Sequence, residues 1–271
     1  MSVLSRFKRL GRARIIAIVI LSSYAILALI TDLGIGVAGQ GLDQAWAGAQ
    51  ARGRLRVAVD YGFRPFTDIQ QDQPFGYDID LARAIAGKLG LEAEFVPSGL
   101  DSIYDDLASG KADIAASALP YAPEQGWRVA FSEFYFNAGQ VLVVPNDATI
   151  ATIDDLRGRR VGVTLGSDGD TLARNLDPAL QIELVNRYED LGQAFADLQA
   201  GQLDAVITDN LSALIGFNSA TDLRIATALT FEPYAIAMPV QAFRLRSEVN
   251  RAIAELQREG FFAQNGATWF R

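Results

Sequence analysis

Short apolar runs alternate with amphipathic stretches along most of the chain. "LRVAVD" (55–60) reads as a strand. "DIDLARAIAGKLG" then places Ile79, Ala82, Ile85, Ala86 and Leu89 on one helical face, and Gly90 stops it. "EAEFVPS" predicts the next strand, "LDSIYDDLASG" a helix stopped by Gly110, and "ADIAASAL" a further strand. Ahead of them "LDQAWAGAQARG" (42–53) predicts a short helix ending at glycine. Alternation of this kind builds βαβ units, that is, a mainly parallel sheet flanked by helices.

The pattern then repeats. "DDLASGKADIAAS", from Asp105, and "ADLQAGQLDAVIT", from Ala196, align at an offset of 91 residues, with Asp106/Asp197, Leu107/Leu198, Gly110/Gly201 and Asp113/Asp204 identical. Each copy is a helix end, a glycine stop and a buried strand that delivers polar residues: Ser117 in one, Thr208 and Asp209 in the other. Two similar α/β lobes follow, with a cleft between the carboxyl ends of their strands. "GQVLVVP" (139–145) and "EPYAIAMP" (232–239) are continuous apolar runs suited to crossing between lobes. The expected division is 41–140 plus 236–271 for the first lobe and 141–235 for the second, with a hinge at the two crossings.

Residues 1–40 form a separate segment. Arg6, Lys8, Arg9, Arg12 and Arg14 precede the uncharged run Ile15–Thr31. Basic residues on that side keep the N-terminus in the cytoplasm and send the remainder out. The run is either one retained N-terminal membrane helix or a cleaved signal, with Ala45-Trp46-Ala47 and Val37-Ala38-Gly39 loosely fitting cleavage sites. Both readings export the globular part.

Charge and composition narrow the chemistry. The segment 1–40 holds five of the 24 basic and one of the 32 acidic residues, so the rest carries a net charge of −12. Nucleic acid is excluded as a partner for such a surface. The chain has no cysteine and no histidine. That removes disulfides, thiolate zinc sites, cysteine nucleophiles and every histidine-dependent triad. No cofactor and no metal is implied.

"VGVTLGSDGDTLA" (161–173) runs from a strand through a turn into a helix expected near Thr171. Such a junction leaves backbone N–H groups suited to an anion, yet it carries two acids of its own. Asp170 reads as the helix N-cap. Asp168 either fills the loop's own N–H groups or faces a cation on a solute. Asp78 and Asp80 in "GYDIDL" read as a helix cap and a solvated first-turn acid, and Trp127 as packing against the first lobe.

Seven stretches together carry a family resemblance: "LRVAVDYGFRPF", "GYDIDLARAIAGKLG", "DLASGKADIAAS", "VAFSEFYF", "GRRVGVTLGS", "LQAGQLDAVITD" and "EPYAIA". In order and spacing they resemble the amino-acid-type (family 3) periplasmic solute-binding proteins of ABC importers, over roughly residues 42–271. The resemblance implies a two-lobed type II periplasmic binding protein fold that traps a small polar solute by closure, acts as a monomer and delivers to a membrane permease. Its ligand positions fall on Asp60, Phe63, Leu100, Ser117 with Ala118 beside it, Gly166, Ser167, Asp168 and Asp209, with Tyr121 as a candidate lining aromatic. Asp209 corresponds to the acid that takes the solute's ammonium group.

Three positions depart from the family pattern. Pro120 stands where a hydroxyl helps hold the carboxylate, Gln125 where an arginine clamps it, and Asp168 where a threonine binds it. Arg128, three residues after Gln125, and Arg64 in "FRPF" are candidates to replace that guanidinium. Without a replacement, the departures imply a cationic or neutral-polar solute held by Asp60, Asp168 and Asp209, with Phe63 stacking on it. Rival readings on the same fold are a dehydratase of the cyclohexadienyl type and a membrane-anchored sensory or accessory receptor.

Overall fold

The computed structural model describes residues 43–176, 180–217 and 222–270, so the apolar run at 15–31 lies outside it. No helix among the described residues is long and apolar enough to cross a membrane. Chain order is α1 (Gln44–Arg52), β1 (Arg54–Val59), β2 (Asp68–Gln70), β3 (Gln73–Phe75), α2 (Tyr77–Lys88), β4 (Glu92–Pro97), α3 (Ile103–Ala108), β5 (Ile114–Ala115) and β6 (Val129–Asn137). Then come β7 (Gln140–Pro145), β8 (Arg160–Thr164), α4 (Asp168–Asn175), β9 (Glu183–Tyr188), α5 (Leu191–Gln199), β10 (Ala205–Asp209), α6 (Asn210–Gly216) and β11 (Leu223–Ala228). β12 (Pro233–Pro239), α7 (Phe243–Arg258) and α8 (Phe261–Trp269) close the chain.

Two five-stranded sheets result, in the orders β4-β1-β5-β12-β6 and β9-β8-β10-β7-β11, with β2 and β3 pairing as a small hairpin. Each sheet has three adjacent parallel strands, then one antiparallel strand, then an edge strand antiparallel to that one. The strand running against the others is β12 in the first sheet and β7 in the second. Each is the first strand the chain enters after crossing from the other sheet, through the links 138–139 and 229–232.

The sequence repeat becomes a repeated hydrogen-bond device. Asp113 accepts from the Arg56 backbone N–H at 2.9 Å and from its guanidinium, while its own N–H donates to the Arg56 carbonyl at 2.9 Å. Asp204 does the same with Arg160: 2.8 Å from the backbone N–H, 3.1 Å from the guanidinium, and 2.9 Å back to the carbonyl. In both lobes the aspartate just before the third parallel strand staples the start of the central one. The Arg160 guanidinium holds the Asp204 carboxyl below the usual carboxylate range.

The helical face predicted for α2 is the buried one: Ile79, Ala82, Ile85, Ala86 and Leu89 all join the core of the first sheet. The long strand expected over "ADIAASAL" is only two residues in the structure. Beyond Ala115 the chain turns, because the Ser117 hydroxyl binds the Asp60 backbone and Ala118 takes a left-handed φ of 47°.

The crossings meet at one side chain. The Asn137 amide donates to the Thr230 carbonyl at 3.1 Å, and its Oδ1 accepts from Gly139 at 3.1 Å and Glu232 at 2.8 Å. Gly139 has no room for a side chain there, since a Cβ would stand 2.6 Å from the Thr230 carbonyl oxygen.

Candidate functional site

In the first sheet the strand ends converge on Asp60, just past β1. Its backbone carbonyl accepts from the Thr67 hydroxyl at 2.7 Å and the Ser117 hydroxyl at 3.1 Å, and its backbone N–H meets the Ser117 oxygen at 3.0 Å. Asp60 Oδ2 accepts from the Leu100 N–H at 3.2 Å, which leaves Oδ1 for another donor. The structure therefore brings Asp60, Leu100 and Ser117 together. Ser117, expected as a contact, is buried and has its hydroxyl committed to Asp60.

Phe63 and Leu100 expose 46% and 56% of their surfaces, enough apolar area to meet a solute. Phe63 is backed by Phe66, whose ring lies 5.7 Å away and nearly parallel. Phe66 is fully buried and also touches Tyr77, Phe136, Tyr234 and Phe270. Phe66 and Thr67 carry no site signal of their own in the sequence beyond the compact "FRPFT" that follows the first strand.

In the second sheet the β8–α4 turn resolves the puzzle of its two acids. The helix starts at Asp168, three residues earlier than expected, and Ser167 is its N-cap, accepting from the Asp170 N–H at 3.1 Å. Asp170 is therefore no cap. It sits in the first turn, 5% exposed, with Oδ2 accepting from the Gly166 N–H at 3.1 Å and Oδ1 paired with Arg174 at 2.8 Å. The built-in carboxylate in the anion position is Asp170. Asp168, by contrast, is exposed and makes no hydrogen bond or ion pair among the described residues.

Asp209 ends β10 and caps α6, its Oδ1 accepting from the Ser212 N–H at 2.8 Å. It shares a rim with α4, because a Cβ on Gly169 would stand only 2.9 Å from the Ile207 carbonyl oxygen. The same rim abuts the first sheet. The Asn210 amide donates to the Asn137 carbonyl at 2.7 Å, and Leu211 and Leu214 of α6 pack on the first core. Tyr234, 5.4 Å from Phe66, feels the Asp209 charge, and burial together with nearby acids pushes its phenol up. Phe63, Phe66 and Tyr234 thus form a continuous run of rings from the first loop to β12.

The two candidate guanidiniums are engaged. Arg64 pairs with Asp68 and lies over Phe75; Arg128 pairs with Asp105 and lies over Tyr104. Gln125 sits half-buried in a single 3₁₀ turn (Pro123–Gln125). Tyr121 packs edge-on against Phe131 and Phe134 while remaining 41% exposed. Trp127, expected to pack on the first lobe, is 76% exposed, since its turn holds it outside the core.

Asp78 departs furthest from expectation. Gly76 occupies the N-cap position of α2, and Asp78 is fully buried with Oδ2 accepting from the Ala118 N–H and the Tyr135 hydroxyl. Asp80, expected to be solvated, accepts from the Trp269 indole N–H at 2.9 Å and pairs with Arg83.

The sequence profile of the bacterial extracellular solute-binding proteins, family 3, matches residues 55–271. The arginine-binding extracellular protein ArtP of Bacillus subtilis is 30% identical over 226 residues, 80% of this chain and 86% of that protein. The unliganded, open L-cystine solute receptor of Neisseria gonorrhoeae superposes with a TM-score of 0.71 at 26% identity, covering 83% of this chain and 96% of that one. An ancestral cyclohexadienyl dehydratase variant gives a TM-score of 0.72, also at 26% identity, covering 82% and 95%.

Proposed function

Because the chain belongs to the bacterial extracellular solute-binding proteins, family 3, we propose that it captures a small cationic amine outside the cytoplasmic membrane and, as a monomer, presents it to an ABC permease. The N-terminal basic and apolar segment directs export, as a retained anchor or a cleaved signal. The solute binds between the two rims and biases an open–closed equilibrium by touching both lobes. Phe63 and Leu100 supply apolar surface and a cation–π face. Asp60 Oδ1, Asp168 and the second oxygen of Asp209 supply the negative partners.

One observation carries the choice of a cation. Among the described residues Asp168 is exposed and has no hydrogen-bond or ion-pair partner, while the Gly166 N–H is filled by Asp170 and the guanidiniums of Arg64, Arg128 and Arg174 are held by Asp68, Asp105 and Asp170. A solute carboxylate about 4 Å from Asp168 would meet a repulsion of about 4 kcal/mol at an effective dielectric near 20. A thermal-shift panel of amines, α-amino acids and organic acids tests this directly. Amines are expected to raise the midpoint, because a hundredfold excess over Kd stabilises by about 2.7 kcal/mol. A response confined to neutral amino acids would reject the reading.

The likeness to the ancestral dehydratase supports a second reading, an enzyme on the same frame. We favour binding, since a carboxylated substrate faces the same repulsion at Asp168. Measurable turnover of prephenate or arogenate would reverse that preference.

A further inference from the structure

Asp78 is a buried carboxylate that none of the binding roles above uses. It lies in the first turn of α2, completely removed from solvent, and among the described residues Oδ1 has no hydrogen-bond partner. Oδ2 takes two donors, the Ala118 N–H at 2.5 Å and the Tyr135 hydroxyl at 2.9 Å. An ionised oxygen accepts such bonds about twice as strongly as a neutral one.

What it grips is an unusual piece of backbone. Ala118 has φ of 47°, a left-handed conformation that costs a residue with a Cβ on the order of 1 kcal/mol or more. On one side is Ser117, whose hydroxyl fixes the Asp60 backbone. On the other are Pro120, bridged to Tyr234, and Tyr121, whose N–H donates to the Pro233 carbonyl at 2.8 Å. The Asp78–Ala118 bond therefore holds the turn that connects the Asp60 rim to the hinge strand β12.

We propose that Asp78 is a positioning residue whose ionised carboxylate keeps the Ser117–Tyr121 turn in its binding-competent shape, so that solute capture weakens when this carboxylate takes up a proton. The proton comes from solvent and goes to Oδ1, the oxygen without a partner. Oδ2 then accepts weakly, and Ala118 is released from its left-handed conformation.

Burial pushes the Asp78 carboxyl up to about 7, against the lowering effect of its two donors. The titratable groups facing it are the phenols of Tyr77, Tyr135 and Tyr234, each held above its ordinary range chiefly by burial. Those phenols stay neutral between pH 5 and 8 and leave Asp78 as the titrating group of the cluster. The linkage has a definite sign. Between the unfolded value near 3.8 and about 7 the folded chain holds a proton that the unfolded chain has released. This group's contribution to stability therefore falls as pH rises through that window and is flat above it. Solute affinity changes in the opposite direction, rising with pH as Asp78 ionises.

The test reads the turn and the solute separately. In the wild-type protein the Ala118 amide resonance should move with a midpoint near pH 7, with no solute present. Asp78→Asn should abolish that movement. Tyr135→Phe, which removes one donor from the carboxylate, should shift the midpoint to higher pH. Agmatine affinity, measured by calorimetry, should fall about tenfold from pH 8 to pH 5.5 in the wild type and change far less in Asp78→Asn. That last arm rests on the amine reading, whereas the amide arm does not. Failure of agmatine to bind with a titrating Ala118 amide would count against the amine alone. An amide that stays flat from pH 5 to 8.5, or a midpoint unmoved in Tyr135→Phe, would overturn the role of Asp78. So would agmatine binding that keeps its full pH dependence in Asp78→Asn.

Discussion

Phe66→Ala should lower the stability of the protein by about 3–5 kcal/mol, the range for deleting a fully buried phenylalanine. The ring is 0% exposed and has five aromatic neighbours with centroids 5.2–5.7 Å away. These come from the first loop, α2, β6, β12 and the C-terminal end, so no single element can move in to fill the space. For a unit of this size the midpoint should drop on the order of 10 °C. Solute affinity should fall as well, because Phe66 backs the exposed ring of Phe63. Chemical denaturation measures the first effect and calorimetry the second. A loss under 1 kcal/mol would mean that the aromatic cluster does not organise the rim.

Asp209→Asn should reduce amine affinity about a hundredfold while leaving folding nearly unchanged. One oxygen of this side chain caps α6 through the Ser212 N–H. Asparagine caps helices as well as aspartate does, so the helix keeps its N-terminus. What disappears is the negative charge offered to an ammonium or guanidinium, and a hydrogen bond to a charged partner contributes about 1.5–3 kcal/mol. Asp209→Ala removes the cap too and should add about 1 kcal/mol of destabilisation. Comparing the two variants separates binding from helix capping. Equal amine affinity in wild type and Asp209→Asn would remove Asp209 from the solute's contacts.

The sequence revealed the frame more readily than the site, for physical reasons. Apolar spacing is local, so the buried face of α2 and the alternation of strands and helices were visible in the chain. The repeated aspartates Asp113 and Asp204 were visible too, but their partners were not. Arg56 lies 57 residues before Asp113, and Arg160 lies 44 before Asp204, so the sequence offset of the aspartates does not extend to them. Ser167 and Asp170 are both good caps by residue type, and only the position of the first helical turn decides between them, in favour of Ser167. Asp78 shows the limit most clearly. An acid in the first turn of a helix looks like a cap, whereas the hydroxyl it accepts from is that of Tyr135, 57 residues further along. Local pattern cannot supply the tertiary contacts that turn a surface acid into a buried one.

On the proposed reading a solute meets free acids, whereas among the described residues Arg64, Arg128 and Arg174 are already paired with Asp68, Asp105 and Asp170. L-arginine and agmatine carry the same guanidinium and an amine at the same end, and differ by one carboxylate. Calorimetric titration of the wild-type protein with both, at pH 8 and low salt, isolates that difference. Agmatine binding at least tenfold tighter than arginine is the predicted result. Arginine or another α-amino acid binding tenfold tighter than agmatine would contradict it, and would mean that one of the paired arginines leaves its aspartate to take the carboxylate.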